Sequence, residues 1–343
     1  MPRKPLMRIA LVYDLRDDYR ALGFSEEEVA EFDGVDTIDQ LAAALEALGC
    51  EVDRVGRGQA LAARLVAGMR FDLVFSIAEG VKGRSREAQV PALCELFDQP
   101  YLFSDPLSSA ASLDKAVAKR LVREAGVPTA AFAVAYAAAS ELQGWSKYPA
   151  FVKPLAEGTG KGCESASVVN SPEELQAAAT RLITRYQQPV LVETYLPGRE
   201  FTVGIVGNGS GATVLGVCEI LLKEDAEANV YSLHNKELCE DLVIYARVDD
   251  EEPKVAGTRA LAAYHALECR DAARIDFRSD AKGEPYFLEA NTLAGLHPHH
   301  SDLPILAAQN GVPFVELIGM ILDAGLARYG LSRPTLERQR RRA

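Results

Sequence analysis

Between residues 8 and 77 this chain alternates short apolar runs with stretches of helical periodicity, and that alternation limits its fold more than any other feature. RIALVY reads as a strand, Thr37 to Leu48 as an amphipathic helix closed by Gly49, and CEVDRV as a second strand. A helix near Leu61 to Met69 and the strand FDLVFSI follow. Apolar runs of this length between helices imply βαβ units and a parallel sheet. Ligands of such sheets sit beyond the carboxyl ends of the strands. The segment AEGVKGRSREAQ, just after the third strand, is therefore expected to be a ligand loop.

A second unit opens at Asp114, where DKAVAKRLVREAG reads as a helix stopped by Gly126 and Pro128. YPAFVKP and PVLVETYL read as strands around a glycine-rich turn and a helix beginning at Ser171, whose SPEE is a cap, a proline and an acidic first turn. Beyond Phe201 the chain turns strand-rich, passes a polar loop at 224–242 and a helix at Val255 to Leu267, and ends in a strand pair, AARIDFRSD and EPYFLEAN. The terminal RPTLERQRRRA is basic and is expected to fray.

Length and charge narrow the function. At 343 residues the chain suggests two or three domains. With 37 basic against 49 acidic residues, a net charge of −12, it lacks the basic face of a general nucleic-acid binder. Six scattered cysteines without a C-x-x-C pair read as free thiols in a reducing compartment. The first apolar run breaks at Asp14, too early for a signal peptide. No apolar stretch approaches the roughly 18 residues of a membrane helix. A cytoplasmic protein with no membrane partner is expected.

Three constellations carry chemistry. In FVKPLAEGTGKG (151–162), a strand delivers Lys153 and then Glu157, Gly158, Thr159 and Gly160. Glycines let backbone N–H groups approach a polyanion closely, although a surface hairpin fits this stretch equally well. In VLVETYLPGREF (190–201), Glu193 and Glu200 close an apolar strand, as a hinge beside a nucleotide or as a strand end with solvated acids. One carboxylate would meet an adenine amino group or a neighbouring cation, the other a ribose hydroxyl. The most specific is ARIDF followed by EAN: Asp276, Glu289 and Asn291 are hard oxygen donors on two neighbouring strands, with Arg274 on the face of Asp276. Such a hairpin suits magnesium held against phosphates. HPHH (297–300) lacks the spacing of a zinc site and reads as a polar loop on the substrate side or at the surface. Arg84, Arg86 and Glu87 read equally as a solvated helix start.

Taken in order, SLDKAVAKRLVREAGVPT, FVKPLAEGTGKG, VLVETYLPGREFTV, ARIDF, EANTLAGL and SDLP resemble the ATP-grasp superfamily, and within it the D-alanine–D-alanine ligase family. The resemblance spans roughly residues 70–325. It implies an α/β fold, with an N-terminal parallel-sheet domain (1–112), two α+β ATP-grasp subdomains (113–192 and 193–330) and a basic tail (331–343). It also implies an ATP- and magnesium-dependent, ADP-forming carboxylate–amine ligase acting through an acyl phosphate on amino-acid or small carboxylate substrates. Lys115 and Lys153 would contact phosphates, and Glu193, Leu196 and Glu200 would hold adenine and ribose. Asp276, Glu289 and Asn291 would bind two magnesium ions, with manganese as an alternative. Arg274 and the Gly295 backbone would stabilise the oxyanion, Lys236 would reach the γ-phosphate from a lid, and Ser301 would hold the second substrate. A homodimer through the N-terminal domain is implied as well.

Departures gather at one subsite. The family's glycine-serine-glutamate stretch after the first strand is replaced by RIALVYDLRDDYRALGFSEEE, its lid tyrosine by Glu237, and its serine pair by Thr159-Gly160. AEG replaces its histidine-glycine motif. These changes point to a different first substrate, larger and more polar, with Glu79, Arg84, Arg86 and Glu87 in reach and an extra carboxylate for an arginine to grip. A true D-alanine–D-alanine ligase of peptidoglycan synthesis and a catalytically silent ATP-binding protein remain as competing readings.

Overall fold

A computed structural model describes residues 6–227 and 232–334, with backbone only at 236 and 237. The N-terminal part runs β1 (Met7–Val12), α1 (Arg16–Ala21), α2 (Val35–Ala47), β2 (Cys50–Gly56), α3 (Gly58–Val66), β3 (Leu73–Ser76), α4 (Gln89–Leu96) and α5 (Pro106–Leu113). Its three strands form a parallel sheet of order β2-β1-β3. Ile9 to Val12 and Leu73 to Phe75 are wholly buried because helices cover both faces of the sheet.

The middle part comprises α6 (Lys115–Glu124), β4 (Phe132–Ala135), β5 (Ala150–Pro154), β6 (Val168–Val169), α7 (Pro172–Tyr186) and β7 (Val190–Thr194). Four antiparallel strands in the order β4-β7-β5-β6 back onto α7. Ser171 caps α7 by accepting the Glu174 N–H at 3.2 Å, with Pro172 in the first turn. The division expected at 192/193 runs inside β7.

The remainder holds β8 (Glu200–Val206), β9 (Thr213–Leu222), α8 (Leu233–Glu237), α9 (Cys239–Leu242), β10 (Val243–Arg247), α10 (Glu251–Ala266), β11 (Ala272–Ser279), β12 (Pro285–Asn291), α11 (Asp302–Gln309) and α12 (Phe314–Arg328). Its five strands form a second antiparallel sheet, β10-β9-β8-β11-β12. Helix α10 begins four residues before the expected Val255, because Asp250 supplies the extended N-cap and Pro253 is tolerated in a first turn.

Helices α11 and α12, hidden to strand-and-loop reading, return to the first sheet. Leu303, Ala307, Leu317, Ile318, Ile321, Leu322 and Leu326 share one core with Ile9, Leu11, Leu41, Leu45 and Phe75. The two ends of the chain therefore stabilise one another, and a cleft lined by all three sheets' loops lies between them. The fold is mixed α/β, as expected. Among the described residues no single helix is long and apolar enough to cross a membrane.

Candidate active site

The phosphate-facing end of the cleft is assembled on α6, β5 and β7. Asp114 caps α6 by accepting the Val117 N–H at 2.9 Å. Lys115 and Lys119 lie one turn apart, so they share a helix face. Strands β5 and β7 pair Phe151 with Glu193, which sets Lys153 diagonal to Glu193 on the same face. Glu193 then sits between two lysines, Oε1 at 2.8 Å from Lys153 Nζ and Oε2 at 2.8 Å from Lys119 Nζ. All three side chains are buried.

Such a triplet survives burial because each charge has a partner. Burial alone would raise the Glu193 pKa, but the two lysines hold it down at about 2. Burial works against charge on Lys153 too, yet Glu193 and Glu289 keep its pKa above the ordinary lysine value. For Lys119 burial prevails and the pKa falls. Glu193 is thus the neighbouring-cation partner that sequence left as one of two options.

The glycine-rich turn follows Lys153. Thr159, Gly160 and Gly162 have φ of +50°, +73° and +72°, and a Cβ on Gly162 would meet Pro154 Cγ at 2.6 Å, so only glycine fits there. Glu157 pairs with Lys161 at 2.8 Å and accepts from Gln188 Nε2 at 2.6 Å, while its backbone oxygen accepts from Lys115 Nζ. The Gly158 N–H donates to Glu31 Oε1 at 2.5 Å. Glu31, three residues beyond the segment that replaces the family's N-terminal motif, therefore holds the turn from the N-terminal side.

Strands β11 and β12 pair Asp276 with Glu289 and Arg274 with Asn291. Arg274 bonds Asp276 through Nε at 3.1 Å and Nη2 at 3.0 Å, and its Nη1 lies 2.9 Å from Asp302. Thr202 Oγ1 donates to Asp276 at 2.5 Å and Asn291 Nδ2 at 3.2 Å. Burial would lower the Arg274 pKa, but Asp276 and Asp302 outweigh it, so the guanidinium stays charged. Lys115 Nζ stands 3.3 Å from Glu289. Asp276 already accepts four hydrogen bonds, from Thr202, Asn291 and twice from Arg274, so holding an ion would require one of these donors to give way. Two facing carboxylates beside lysines fit magnesium, which binds through one or two carboxylates and its substrate's phosphates.

Two adjoining cavities meet at Lys115, Glu157 and Glu289. The narrower is lined by Lys153, Gly160, Glu193, Leu196, Glu200 and Asp276. Glu200 also pairs with Arg278 at 3.3 Å. The larger, about 440 Å³, takes in Arg274, Asn291, Gly295, His297, His300 and Ser301. Ser301 Oγ accepts the His297 N–H at 3.0 Å, and a Cβ on Gly295 would meet that oxygen at 2.7 Å. His297 Nε2 lies 2.8 Å from Asp36 Oδ2, so the HPHH loop is fastened to α2.

Every expected phosphate, nucleotide, metal and oxyanion residue thus borders one of the two cavities, except Lys236, whose side chain lies outside the described residues, as do residues 335–343. The expected arginine grip is corrected. Arg86 is buried, donating to Ala156 O at 2.6 Å and pairing with Glu31 at 2.8 Å. Arg84 pairs with Asp114 at 2.5 Å. Neither lines either of these two cavities. Glu79 and Glu87 do line the larger one, beside Asp33 and Asp36. Lys119, Glu31 and Asp302 escaped the sequence reading. The i to i+4 spacing of Lys115 and Lys119 was a usable signal for the first, and adjacency to Ser301 for the last; nothing local marks Glu31.

The comparisons with known proteins bear on the fold and the family. Residues 121–323 match the family model of the D-Ala–D-Ala ligase C-terminus. A D-alanine–D-alanine ligase of Aquifex aeolicus is 33% identical over 87% of this chain and 96% of its own length. An uncharacterised protein of Sinorhizobium fredii, y4sG, is 34% identical over 75% of each chain. Among solved structures, the Bacillus anthracis D-alanine–D-alanine ligase complexed with ATP superposes with a TM-score of 0.71 at 22% identity, over 94% of this chain and 99% of that one. The Enterococcus faecalis VanG D-Ala:D-Ser ligase gives 0.70 at 22%, over 94% and 100%. With the model covering more than half of the chain and a full-length relative above 30%, this protein belongs to the D-alanine–D-alanine ligase family of ATP-dependent ligases.

Proposed function

We propose that this protein uses ATP to join a small carboxylate substrate to an amine, releasing ADP and phosphate. The observation that carries the reading is that Lys115 and Glu289 stand where the two cavities meet, while Arg274 and Gly295 line the larger one. A carboxylate oxygen of the first substrate attacks the γ-phosphorus of ATP, and the bond to the ADP oxygen breaks. The resulting acyl phosphate is attacked by the second substrate's amine, the C–O bond to phosphate breaks, and the amine's proton leaves. Lys153 and Lys115 orient and neutralise phosphate oxygens, with Lys153 fixed by Glu193. Arg274, held between Asp276 and Asp302, and the Gly295 N–H meet the tetrahedral oxyanion. Ser301 receives the second substrate's carboxylate.

Asp276, Glu289 and Asn291 would hold the magnesium ions, which when bound neutralise phosphate charge. Leu196 and Glu200 take the nucleoside, Glu193 fixes the lysines beside it, and a cytoplasmic setting supplies ATP. A homodimer belongs to the same reading: Val66 and Leu96, 74% and 76% exposed, are apolar side chains on α3 and α4 that such an interface would cover, and light scattering tests it. Phosphate release across amino-acid pairs tests the ligase: release that requires both members supports it, and silence with every pair overturns it. The relatives named D-alanine–D-alanine ligase favour a second reading, in which D-alanine serves as both substrates. Efficient turnover with D-alanine alone would establish that one instead.

A further inference from the structure

The part of the larger cavity's wall contributed by the N-terminal domain carries Glu31, Asp33, Asp36, Glu79 and Glu87. Their engagement differs. Glu31 is bound by Arg86 and the Gly158 N–H, and Asp36 by His297. Glu87 is only 9% exposed, lines the cavity, and has no hydrogen-bond or ion-pair partner among the described residues. Glu79, from the AEG that stands in place of the family's histidine-glycine motif, also lines it without such a partner. A buried carboxylate without a partner is costly, so a side chain of this kind facing a substrate space marks the complement of what is to be bound. The charges of Arg86 and Lys115 reach Glu87, and that of Arg86 reaches Glu79, but neither cation is bonded to them: Lys115 is held by Glu289 and the Glu157 backbone oxygen. Arg86 faces Ala156 and Glu31, and Arg16 donates through Nε at 2.5 Å to Phe32 O and through Nη2 at 3.0 Å to Ala30 O.

We infer that the first substrate carries a second amino group in addition to its α-ammonium, a diamino acid whose distal cation is received by Glu79 and Glu87. This rests on the ligase reading above and narrows its first substrate. An acidic substrate is excluded by the same wall, because its extra carboxylate would face two carboxyls and no disengaged arginine. A neutral one such as alanine leaves both glutamates uncompensated. The 440 Å³ space admits side chains of several methylenes.

The test compares diamino acids with their neutral isosteres. Purified full-length protein, ATP and magnesium are given D- and L-2,4-diaminobutyrate, ornithine and lysine, each against norvaline, norleucine and glutamate, with alanine as the amine partner. Phosphate release gives rates, and mass spectrometry of the product identifies whose carboxyl was joined. The expected result is a kcat/KM for one diamino acid at least about tenfold above its isostere, as one charge-assisted bond provides. E87Q and E79Q, each made separately so that one folded variant suffices, should lower that ratio by about tenfold, mainly through KM. Preference for a neutral or acidic first substrate overturns the inference while leaving the ligase intact. So does an unchanged ratio in both folded variants. Silence with every pair overturns the ligase reading and this inference together.

Discussion

The two walls of the cleft treat buried charge in opposite ways. At the phosphate end, Glu193 lies between Lys119 and Lys153, Lys115 stands against Glu289, and Arg274 bridges Asp276 and Asp302. Each side chain is held by its opposite. On the N-terminal wall, burial raises the Glu87 and Asp33 pKa values to about 7 and also raises that of Glu79, with neighbouring carboxylates adding to the effect at each. The difference teaches where preorganisation is internal and where it awaits a ligand. The phosphate end is set before anything binds, because phosphoryl transfer depends on fixed cations. The opposite wall is complete only with a cation supplied from outside.

The sharpest way to break this contrast is at the junction. Glu289→Gln removes a charged group from the metal-facing hairpin and should cut kcat by about 10²–10³-fold, with circular dichroism unchanged. Turnover near wild type at ordinary magnesium concentrations removes Glu289 from the site. Lys153→Ala should cost ATP affinity, read by calorimetry as at least about a tenfold rise in Kd.

Stability separates the walls next. Glu193→Ala leaves two buried lysines unpaired and should cost about 3–5 kcal/mol in urea unfolding. Glu87→Gln, at the other wall, relieves carboxyl repulsion and should leave stability equal or higher. If both substitutions destabilise alike, the walls do not differ in charge compensation.

The walls should also titrate in opposite senses. Glu193, held at about 2 against an ordinary 4.5, contributes stability that is present above pH 4.5 and lost as pH falls through about 2. Glu87, raised from 4.5 to about 7, does the reverse: between these values the folded chain keeps a proton the unfolded chain has shed, so stability falls as pH rises. Glu87→Gln should flatten that slope by up to about 1.4 kcal/mol per pH unit, measured by unfolding at pH 4.5 to 7. The smallest effect calibrates the rest. Ser171→Ala, far from both cavities, loses only the α7 cap and should cost about 1 kcal/mol.

Much of this was legible before any coordinates. The three parallel strands, the cap at Ser171, and the β11–β12 hairpin with its carboxylates are written in stretches of a few residues, where periodicity and capping act. Reading Arg84 and Arg86 as substrate contacts failed because local spacing shows that a cation is near a loop but not which acid it meets. Arg86 meets Glu31, 55 residues away, and Glu31 meets Gly158, 127 residues away.

The sequence by itself determined the order of the elements up to β12, though not the short helices among them, the family, and which residue types stand at the phosphate end, since those depend on short-range pattern and on motifs in fixed order. Only the tertiary structure decided how the charges are paired. Coulomb attraction and desolvation depend on distance and burial, and these were set when α12 packed on the first sheet and residues 14–34 came to face the glycine-rich turn. That same closure left Glu79 and Glu87 in the cavity wall without partners among the described residues, a property no local pattern records.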